Sequence, residues 1–442
     1  MFTNIRHTLF LILALAVSIG SAKNSFGFAS QNTTAAQTFT VTKTADTNDG
    51  ACDSDCSLRE AIVAANLNPG SDNIFIPSGT YTLTIVGIDE NASATGDLDI
   101  AGDLMLNGTG AEGTIIDGGG IDRILEILPA NPPYTVVISG LTLQNGARIS
   151  AGEQAAGIRS MGFLTVTESV VANNAGAGIE SRHGNVVLSN SSITGNSNPD
   201  GVGGVIANLA DLDITNSTIS NNSGGWGGIS ADNGFSLANS TVNDNSGSSG
   251  PGGMRIVGGG TIINSTISSN HGTEGAGIWT NQGLSITNST IVSNTAVGTG
   301  GSIFLTGNGG GIFFLGQSGV VDMVNTIIAN NQSDAGSPDC SGPLTSLGYN
   351  LISASSGCAI TSAVGDKFNV NARIRPLADN GGFTQTHALL SESPAINAGS
   401  NTICPASDQR DVIRPQGGIC DIGAYEYEFP YKIYLPLNYK NP

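Results

Sequence analysis

Residues 284–294 read LSITNSTIVSN, and the same pattern occurs seven times between residues 155 and 331. Each copy has three phrases in fixed order: a glycine before an apolar residue, an alternating run that ends in Asn-Ser or a close equivalent, and an apolar residue followed three positions later by asparagine. The third phrases begin 22, 26, 23, 25, 24 and 37 residues apart, so the period is near 24 with one insertion. They start at Val171, Ile193, Ile219, Val242, Ile267, Ile291 and Ile328.

This repeat predicts an all-β fold: a right-handed parallel β-helix with three short strands per coil of about 24 residues. The phrases are too short for helices, and β-branched residues dominate their apolar positions. Stacked coils bury the apolar faces, because each strand pairs with its copy ~4.8 Å above and below. About twelve coils would then span about 60 Å. A low-complexity linker is the alternative, but a linker need not keep an apolar residue in register seven times.

The residues between the strands suggest how the corners are made. A glycine before the apolar position suits a tight corner or a positive φ. Asparagine tolerates left-handed corners, and asparagine side chains repeated at one corner can hydrogen-bond along the stack.

Composition limits the partners of the chain. Of 442 residues, 16 are Lys or Arg and 35 are Asp or Glu, which gives a formal net charge of −19. Binding of nucleic acid needs clustered Lys and Arg, so we exclude nucleic acid as a partner. We expect a monomer with an acidic surface.

Residues 1–30 are interpreted as a signal peptide. Arg6 and His7 give a basic start, and the apolar run from Leu9 to Ile19 is too short to span a bilayer. An uncleaved membrane anchor is the alternative. No other apolar stretch approaches ~18 residues, so we predict no transmembrane span in the mature chain and a secreted or cell-surface location.

The six cysteines lie in three close pairs, and an even number in an exported chain suggests disulfides. We favour pairing between nearest neighbours, because the short loops between them need closing at both ends of the solenoid. A zinc site is the alternative, although histidine is rare. The pairs are Cys52 and Cys56, Cys340 and Cys358, and Cys404 and Cys420.

The run Cys56-Ser57-Leu58-Arg59-Glu60-Ala61 precedes the repeats. Ser57 is a good N-cap and Glu60 completes a capping box, so a helix should begin here and cover the first coil. The run resembles the CSLREA domain of exported bacterial β-helix proteins, and the resemblance covers roughly residues 38–146. It implies a bacterial surface or secreted protein, with an N-terminal strand and capping helix in residues 38–70 and the β-helix in residues 71–375.

Two further resemblances concern the repeats and the C-terminal part. The repeats resemble those of chlamydial polymorphic membrane proteins, which are surface adhesins, although Ile or Val stands here where those proteins have Phe. Residues 376–427 resemble the choice-of-anchor domain that closes many bacterial β-helix proteins, with Asp411 in place of the usual Gly. The tail, residues 428–442, is either a last strand or an exposed sorting tag.

The sequence offers few candidates for catalysis. Pectinolytic β-helix enzymes carry paired Asp and a following His or Arg-x-Lys signature, and neither is present. The nearest fragment is Arg182-His183-Gly184, and a lone histidine in a loop is usually solvated. We therefore predict no catalytic residue.

Asp97 and Asp99 are the candidates for a metal site. They project from the same strand face, and carboxylate oxygens at close spacing can hold Ca²⁺. The alternative is a solvated face with aspartates in turns. The Gly-Gly-x-Gly-x-Asp calcium repeat is absent, and no other cofactor is predicted. The surrounding acidic group is Asp89, Glu90, Asp97, Asp99 and Asp103, with Asp117 and Asp122 beyond.

Trp226 and Trp279 are the candidates for carbohydrate binding, because exposed aromatic rings on a flat face stack against sugar rings. Packing at a corner is the alternative. We favour a non-enzymatic, adhesin-like scaffold that binds glycans or cell-surface components. The other hypotheses are a polysaccharide lyase or glycoside hydrolase of the pectate-lyase-like class, and a purely structural envelope protein.

Overall fold

The computed structural model describes residues 36–88, 90–148, 152–297, 309–316, 318–334, 336 and 338–429. The predicted signal peptide and the tail from residue 430 lie outside the described residues. Within them the chain forms the predicted right-handed parallel β-helix, with three sheets that we name A, B and C and a short fourth sheet D. Sheet A contains the second phrase of the repeat, sheet B the third and sheet C the first.

All strand pairs along the solenoid are parallel, and each sheet takes at most one strand from any coil. The strands of sheet A are Thr38–Thr40, Ser71–Phe75, Asp103–Asn107, Thr135–Ser139, Phe163–Thr167, Val186–Ser189, Leu212–Thr215, Phe235–Ala238, Gly260–Ile263, Leu284–Thr287, Val321–Val324, Cys340–Gly348 and Cys358–Thr361. Those of sheet B are Gly79–Thr82, Thr114–Asp117, Thr142–Gln144, Val170–Ala172, Ser192–Thr194, Thr218–Ser220, Thr241–Asn243, Thr266–Ser268, Thr290–Val292, Ile327–Ala329, Leu351–Ile352 and Lys367–Phe368.

Sheet C joins sheet A at its last strand, because Cys340–Gly348 pairs with strands of both sheets. The other strands of sheet C are Leu98–Ile100, Leu125–Ile127, Ala155–Ser160, Ala177–Ser181, Val205–Ala207, Ile229–Ala231, Met254–Ile256, Ile278–Thr280 and Ile312–Phe314. Sheet D consists of Ser197–Val202, Ser223–Trp226, Ser246–Gly247, His271–Gly272, Thr295–Ala296 and Gln332–Ser333.

The core is a set of apolar columns inside the solenoid. The register places each apolar residue directly above its counterpart one coil below, and nearly all of these side chains are inaccessible to solvent. One such column in sheet C is Ile158, Ile179, Val205, Ile229, Met254, Ile278 and Ile312.

A buried ladder of asparagines follows one corner of the solenoid. Each side-chain amide donates to the Oδ1 atom of the next asparagine and to a carbonyl oxygen of the coil before it; Asn245, for example, donates to Asn270 Oδ1 at 3.0 Å and to Ile219 O at 2.9 Å. The ladder ends at Asp339, whose Oδ1 accepts from Asn331. Its members are Asn174, Asn196, Asn222, Asn245, Asn270, Asn294 and Asn331.

The glycine of the first phrase is required by close packing against this ladder. Our expectation of a positive φ is wrong, because all seven of these glycines lie outside the positive-φ region. A Cβ atom on Gly277 would lie 2.6 Å from Gly311 O and 2.9 Å from Asn294 Nδ2. Any larger residue would therefore push the ladder and the next coil apart.

The N-terminal helix is confirmed as the residues Leu58–Leu67. Ser57 caps it and the predicted capping box is present, since the Glu60 carboxylate accepts from Ser57 N at 2.7 Å. Leu58, Ala61 and Ile62 face the first coils and are buried. The helix therefore covers apolar surface that the first coil alone would leave exposed.

The C-terminal part folds back along the solenoid. We expected it to close the end, but residues 372–429, which we call the strap, lie against the outer face of sheet B. The strap contains an antiparallel pair of strands, Ile374–Ala378 and Thr386–Leu389, and its residues 379–385 form a tip over the middle coils. The strap covers sheet B because its Gln409 and backbone groups satisfy the outward threonines of that sheet.

The three disulfides join nearest neighbours: Cys52 with Cys56, Cys340 with Cys358, and Cys404 with Cys420. The first two lie near the ends of the solenoid, as expected. The third lies in the strap, beside Asn325, and so braces the flank of the solenoid. No helix among the described residues is both long and apolar enough to cross a membrane.

Candidate functional site

The outward side chains of sheet C form a second column, and its first four members are all charged. They are stacked by the strand register in the order Asp99, Glu126, Arg159 and Glu180. Only 12% of the residues are charged, so four charged side chains on four successive coils are a local concentration of charge. Farther along, the same column continues with Ile206, Ser230, Arg255 and Trp279.

A cavity of about 370 Å³ lies beside this charged column, and we call it the acid–arginine cleft. Six titratable side chains line it, and an apolar wall with one asparagine completes it. The titratable residues are Glu90, Asp122, Arg123, Glu126, Glu153 and Arg159; the remaining wall is Ile88, Asn91, Leu128, Pro129 and Met161.

Two arginines neutralise part of this negative charge. Arg123 lies 2.7 Å from Asp97 Oδ2, contacts Glu126 through the same nitrogen and lies 3.2 Å from Glu153 Oε1. Burial opposes its charge, but the surrounding carboxylates raise the pKa of Arg123 above its usual value, so it stays charged. Arg159 lies 3.2 Å from Glu126 and 3.5 Å from Glu153, and its buried Nε has no hydrogen-bond partner among the described residues.

Three carboxylates could hold a cation next to the cleft. We call this group the floor; of its members, Glu126 also lines the cavity. Oxygen atoms of Asp97, Asp99 and Glu126 all lie within 4.8 Å of one another. Asp99 is fully buried; its Oδ2 accepts from Ser93 N at 2.9 Å, whereas its Oδ1 has no hydrogen-bond partner among the described residues. A buried carboxylate oxygen without a hydrogen-bond partner among the described residues is a suitable ligand for Ca²⁺. The three carboxylates therefore include both of the metal ligands predicted from the sequence, Asp97 and Asp99, and add Glu126.

The helix positions this floor. The Arg59 guanidinium donates to the carbonyl oxygens of Ser93, Gly96 and Asp97 at 2.8–3.1 Å. These contacts hold the loop before the strand Leu98–Ile100, and Ser93 in turn binds Asp99. The CSLREA run thus acts on the cleft through packing and hydrogen bonds.

Two carboxylates of the floor, those of Asp97 and Asp99, hold protons unusually tightly. Burial raises the pKa of Asp97 to about 7, assisted by the nearby charges of Asp99 and Asp122 and opposed by Arg123. Burial likewise raises the pKa of Asp99 to about 7, with Glu90 and Glu126 adding to the shift. Burial also raises the pKa of Asp122, which lines the cavity. Such groups exchange protons near neutral pH or release them to a cation.

Stability should therefore fall with rising pH in buffer that contains a calcium chelator. Between the ordinary aspartate value of 3.8 and the folded value of about 7, the unfolded chain has lost protons that the folded chain still holds on Asp97 and Asp99. The free energy of unfolding should drop by several kcal/mol across this window, because both groups contribute. Urea denaturation at a series of pH values measures the drop.

Comparison with the Asp97→Asn/Asp99→Asn double variant isolates these two groups, because Asp421 in the strap also has a pKa raised to about 7. In the variant, the free energy of unfolding should depend less on pH. At neutral pH, Ca²⁺ should stabilise the natural chain but not the variant. Equal slopes in the two proteins would contradict the assignment.

The two predicted tryptophans are brought together around an arginine. The guanidinium carbon of Arg255 lies 4.6 Å from the ring centre of Trp226 and 5.7 Å from that of Trp279. Arg255 also donates to Asp232 at 2.6 Å. Trp226 packs in part against Ile206, so it combines corner packing with a half-exposed ring on the outer face of sheet C.

The remaining acidic residues of the predicted group are spread over the molecule. Asp103 accepts from Thr135 N on sheet A, and Asp117 accepts from Asn145 on sheet B. Asp89 lies outside the described residues. Sequence analysis missed Glu126, which follows Asp99 by one coil of 27 residues; aligning the early coils by their apolar positions would have placed it there.

A comparison with protein families agrees with the fold. A family model described as "Right handed beta helix region" matches residues 131–291. The repeats form a right-handed β-helix. No curated protein matches the chain. Among solved structures, pectate lyase Pel9A is 14% identical, with 88% of this chain and 96% of that chain covered and a TM-score of 0.46. The A-module of Azotobacter vinelandii mannuronan C-5 epimerase AlgE6 is 17% identical, with 74% and 92% covered and a TM-score of 0.45.

Proposed function

We propose that this protein is an exported, adhesin-like β-helix scaffold that binds glycan chains in the acid–arginine cleft without cleaving them. The observation that carries the proposal is the convergence of two arginines and four carboxylates on one cavity of an otherwise sparsely charged solenoid. A concave site with convergent polar groups and shifted pKa values is the natural binding site of a protein surface.

The chemistry of the cleft suits a ligand rich in hydroxyl groups. A carboxylate accepts hydrogen bonds from two hydroxyls, and a guanidinium donates two parallel bonds to neighbouring oxygens. Arg159, Glu90 and Glu153 are all half-buried side chains at the cavity wall, so parts of their polar groups remain open to a ligand. Met161 and Leu128 supply an apolar wall for the faces of the sugar rings.

A polymeric glycan could continue along the outer face of sheet C. Four coils separate Arg159 from Arg255, which corresponds to about 19 Å along the solenoid. Trp226 and Trp279 flank Arg255 and would stack on sugar rings at that distance. The floor would bind Ca²⁺ through Asp97, Asp99 and Glu126. Because Glu126 also lines the cavity, the bound ion would hold this part of the cleft in place.

The proposal includes the cellular location of the protein. Residues 1–30 would export the chain, residues 38–70 would be a CSLREA-type cap, and residues 376–427 would be an anchor-type region at the surface of a bacterium. Three disulfides among the described residues support an oxidising compartment. Glycans or cell-surface components would be the partners of a monomeric chain.

Replacing Arg159 by methionine is expected to weaken glycan binding at least about tenfold, because charge-assisted hydrogen bonds are lost while the length of the side chain is kept. A glycan array with the natural chain identifies the best polysaccharide, and calorimetry with and without CaCl₂ then measures both proteins. Arg182→Met is the matched control, since Arg182 pairs with Glu180 outside the cavity lining.

Three results would contradict this function. The first is a glycan array on which the natural chain binds nothing, and the second is equal affinity of the two arginine variants for the glycan. The third is release of reducing ends or unsaturated products when the natural chain is incubated with polysaccharides. That third result would favour a lyase or hydrolase, with Asp122 as the first residue to test because its pKa is raised within the cavity.

A further inference from the structure

A column of left-handed corner residues connects sheets A and B, and the strap binds to part of it. The side-chain amide of Asn264 donates to Ser407 O at 2.8 Å, and that of Asn288 donates to Asp421 O at 3.3 Å. Asn325 donates to Ser400 O at 3.1 Å. All three are buried and have φ between 45° and 50°. The strap therefore binds through its carbonyl oxygens to side-chain amides that the corner conformation holds in place.

The same column continues beyond the tip of the strap. Asn216, Asn190 and Glu168 occupy the corresponding corners, with φ values of 49°, 48° and 49°. Their side chains have no hydrogen-bond partner among the described residues, and Asn190 and Glu168 are exposed. The surface that binds the strap therefore extends past the strap with its polar groups unused.

This extension forms a groove with the strap tip as one wall. Its volume is about 580 Å³, and Phe383 at the tip is 63% exposed. The floor consists of the outward side chains Val170, Ser192 and Thr218, which continue the column of Thr241, Thr266 and Thr290 beneath the strap.

The chain leaves the described region near this groove. Glu428 lies 3.1 Å from Arg410 Nη1, and the same nitrogen donates to Asn380 O at the strap tip. The thirteen residues after Phe429, PYKIYLPLNYKNP, could reach about 43 Å when extended. They include three tyrosines and two lysines and no acidic residue.

We propose that residues 430–442 of this chain bind in the groove as an extended segment. Their carbonyl oxygens would accept from Asn190 and Asn216, as those of the strap accept from Asn264 and Asn288. A lysine would pair with Glu168, and a tyrosine ring would pack on Phe383. The argument rests on the continuity of the groove with the strap interface and on the place where the chain leaves the described region.

Limited proteolysis of the full chain tests this proposal, because trypsin cleaves after Lys432. The Asn190→Gly/Asn216→Gly variant keeps the positive φ and removes both amides; it should be cleaved after Lys432 about tenfold faster than the natural chain. Asn173→Gly/Asn221→Gly is the matched control, since both residues have φ near 55° and are exposed at another corner. Cleavage of the control should match that of the natural chain.

A synthetic peptide of residues 430–442 with both lysines dimethylated, which keeps their charge but prevents cleavage by trypsin, provides the second measurement. When added in excess to the natural chain, it should compete for the groove and accelerate cleavage after Lys432. The proposal would be overturned by cleavage of the natural chain as fast as that of the unmodified free peptide, by equal rates in the two double variants, or by no effect of the dimethylated peptide.

Discussion

Replacing Arg59 by methionine is expected to lower the free energy of unfolding of the first coils by about 3–5 kcal/mol. The Arg59 side chain is fully buried, and its Nε lies 2.7 Å from Asp46 Oδ1. Methionine fills a similar volume but leaves Asp46 without its cation and three carbonyl oxygens without a side-chain donor. A buried charge that loses its partner is among the costliest changes in a protein.

The pKa of Asp46 shows how strongly its ion pair with Arg59 stabilises the buried carboxylate. Burial by itself would raise the pKa of Asp46, but hydrogen bonds from Arg59, Thr84 and Ile85 outweigh burial and lower it. Without Arg59 the carboxylate would have to take up a proton or draw in water. Because the same guanidinium holds the loop of Ser93 and Asp97, the cation-binding floor should loosen as well.

Hydrogen exchange followed by mass spectrometry measures this effect coil by coil, which suits a solenoid whose stability is a sum of local terms. In Arg59→Met, protection should be lost in Leu58–Leu67 and in the strands up to Leu125–Ile127 and kept beyond Ile278–Thr280. Arg375→Met, at an exposed position in the strap, is the control. Unchanged protection in the first coils would show that Arg59 is dispensable.

The second large effect is expected from Asn245→Asp in the middle of the asparagine ladder. Asn245 is fully buried, and its Nδ2 donates at 2.9 Å to Ile219 O and at 3.0 Å to Asn270 Oδ1. An aspartate would place an acceptor where a donor is required, so two pairs of oxygens would face each other with a buried negative charge between them. We expect a loss of about 3–5 kcal/mol at neutral pH, measured by urea denaturation.

Acidification distinguishes a broken hydrogen bond from a packing defect. A protonated aspartate regains one donor, so the deficit of Asn245→Asp should shrink as pH falls toward 4. Asn233→Asp makes the same chemical change at an exposed position and should leave stability within about 0.5 kcal/mol of the natural chain. A deficit that does not depend on pH would contradict the role of the Nδ2 donor.

Within the repeats, much of the fold could be predicted from the sequence. The apolar positions predicted the coil, the strands and the interior columns, because a residue repeated at one position of a stacked coil meets its own copies. Asparagine was expected both at left-handed corners and in a ladder along the stack. The structure divides these roles between two sets: Asn216 and its equivalents have a positive φ, whereas Asn222 and its equivalents form the ladder.

Other features depended on contacts between distant segments. Asp97 and Asp99 were visible as a pair, but Glu126 and Arg123 join them only through the register between coils. The strap was expected at the end of the solenoid, and its sequence gives no sign of which face it binds. The tryptophans stood out as aromatic residues, whereas Arg255 between them became evident only when the strands were aligned.

The sequence by itself determined the β-helix, its period, its capping helix and the chemical types in each column, because these follow from patterns that repeat within one coil. Tertiary structure alone decided where the strap docks, which carboxylates share the floor of the cleft and how strongly they hold protons. The physical reason is the range of the interactions. Hydrophobic periodicity and corner geometry are set within one coil, whereas burial, ion pairing and docking depend on contacts between different coils or between a coil and the strap.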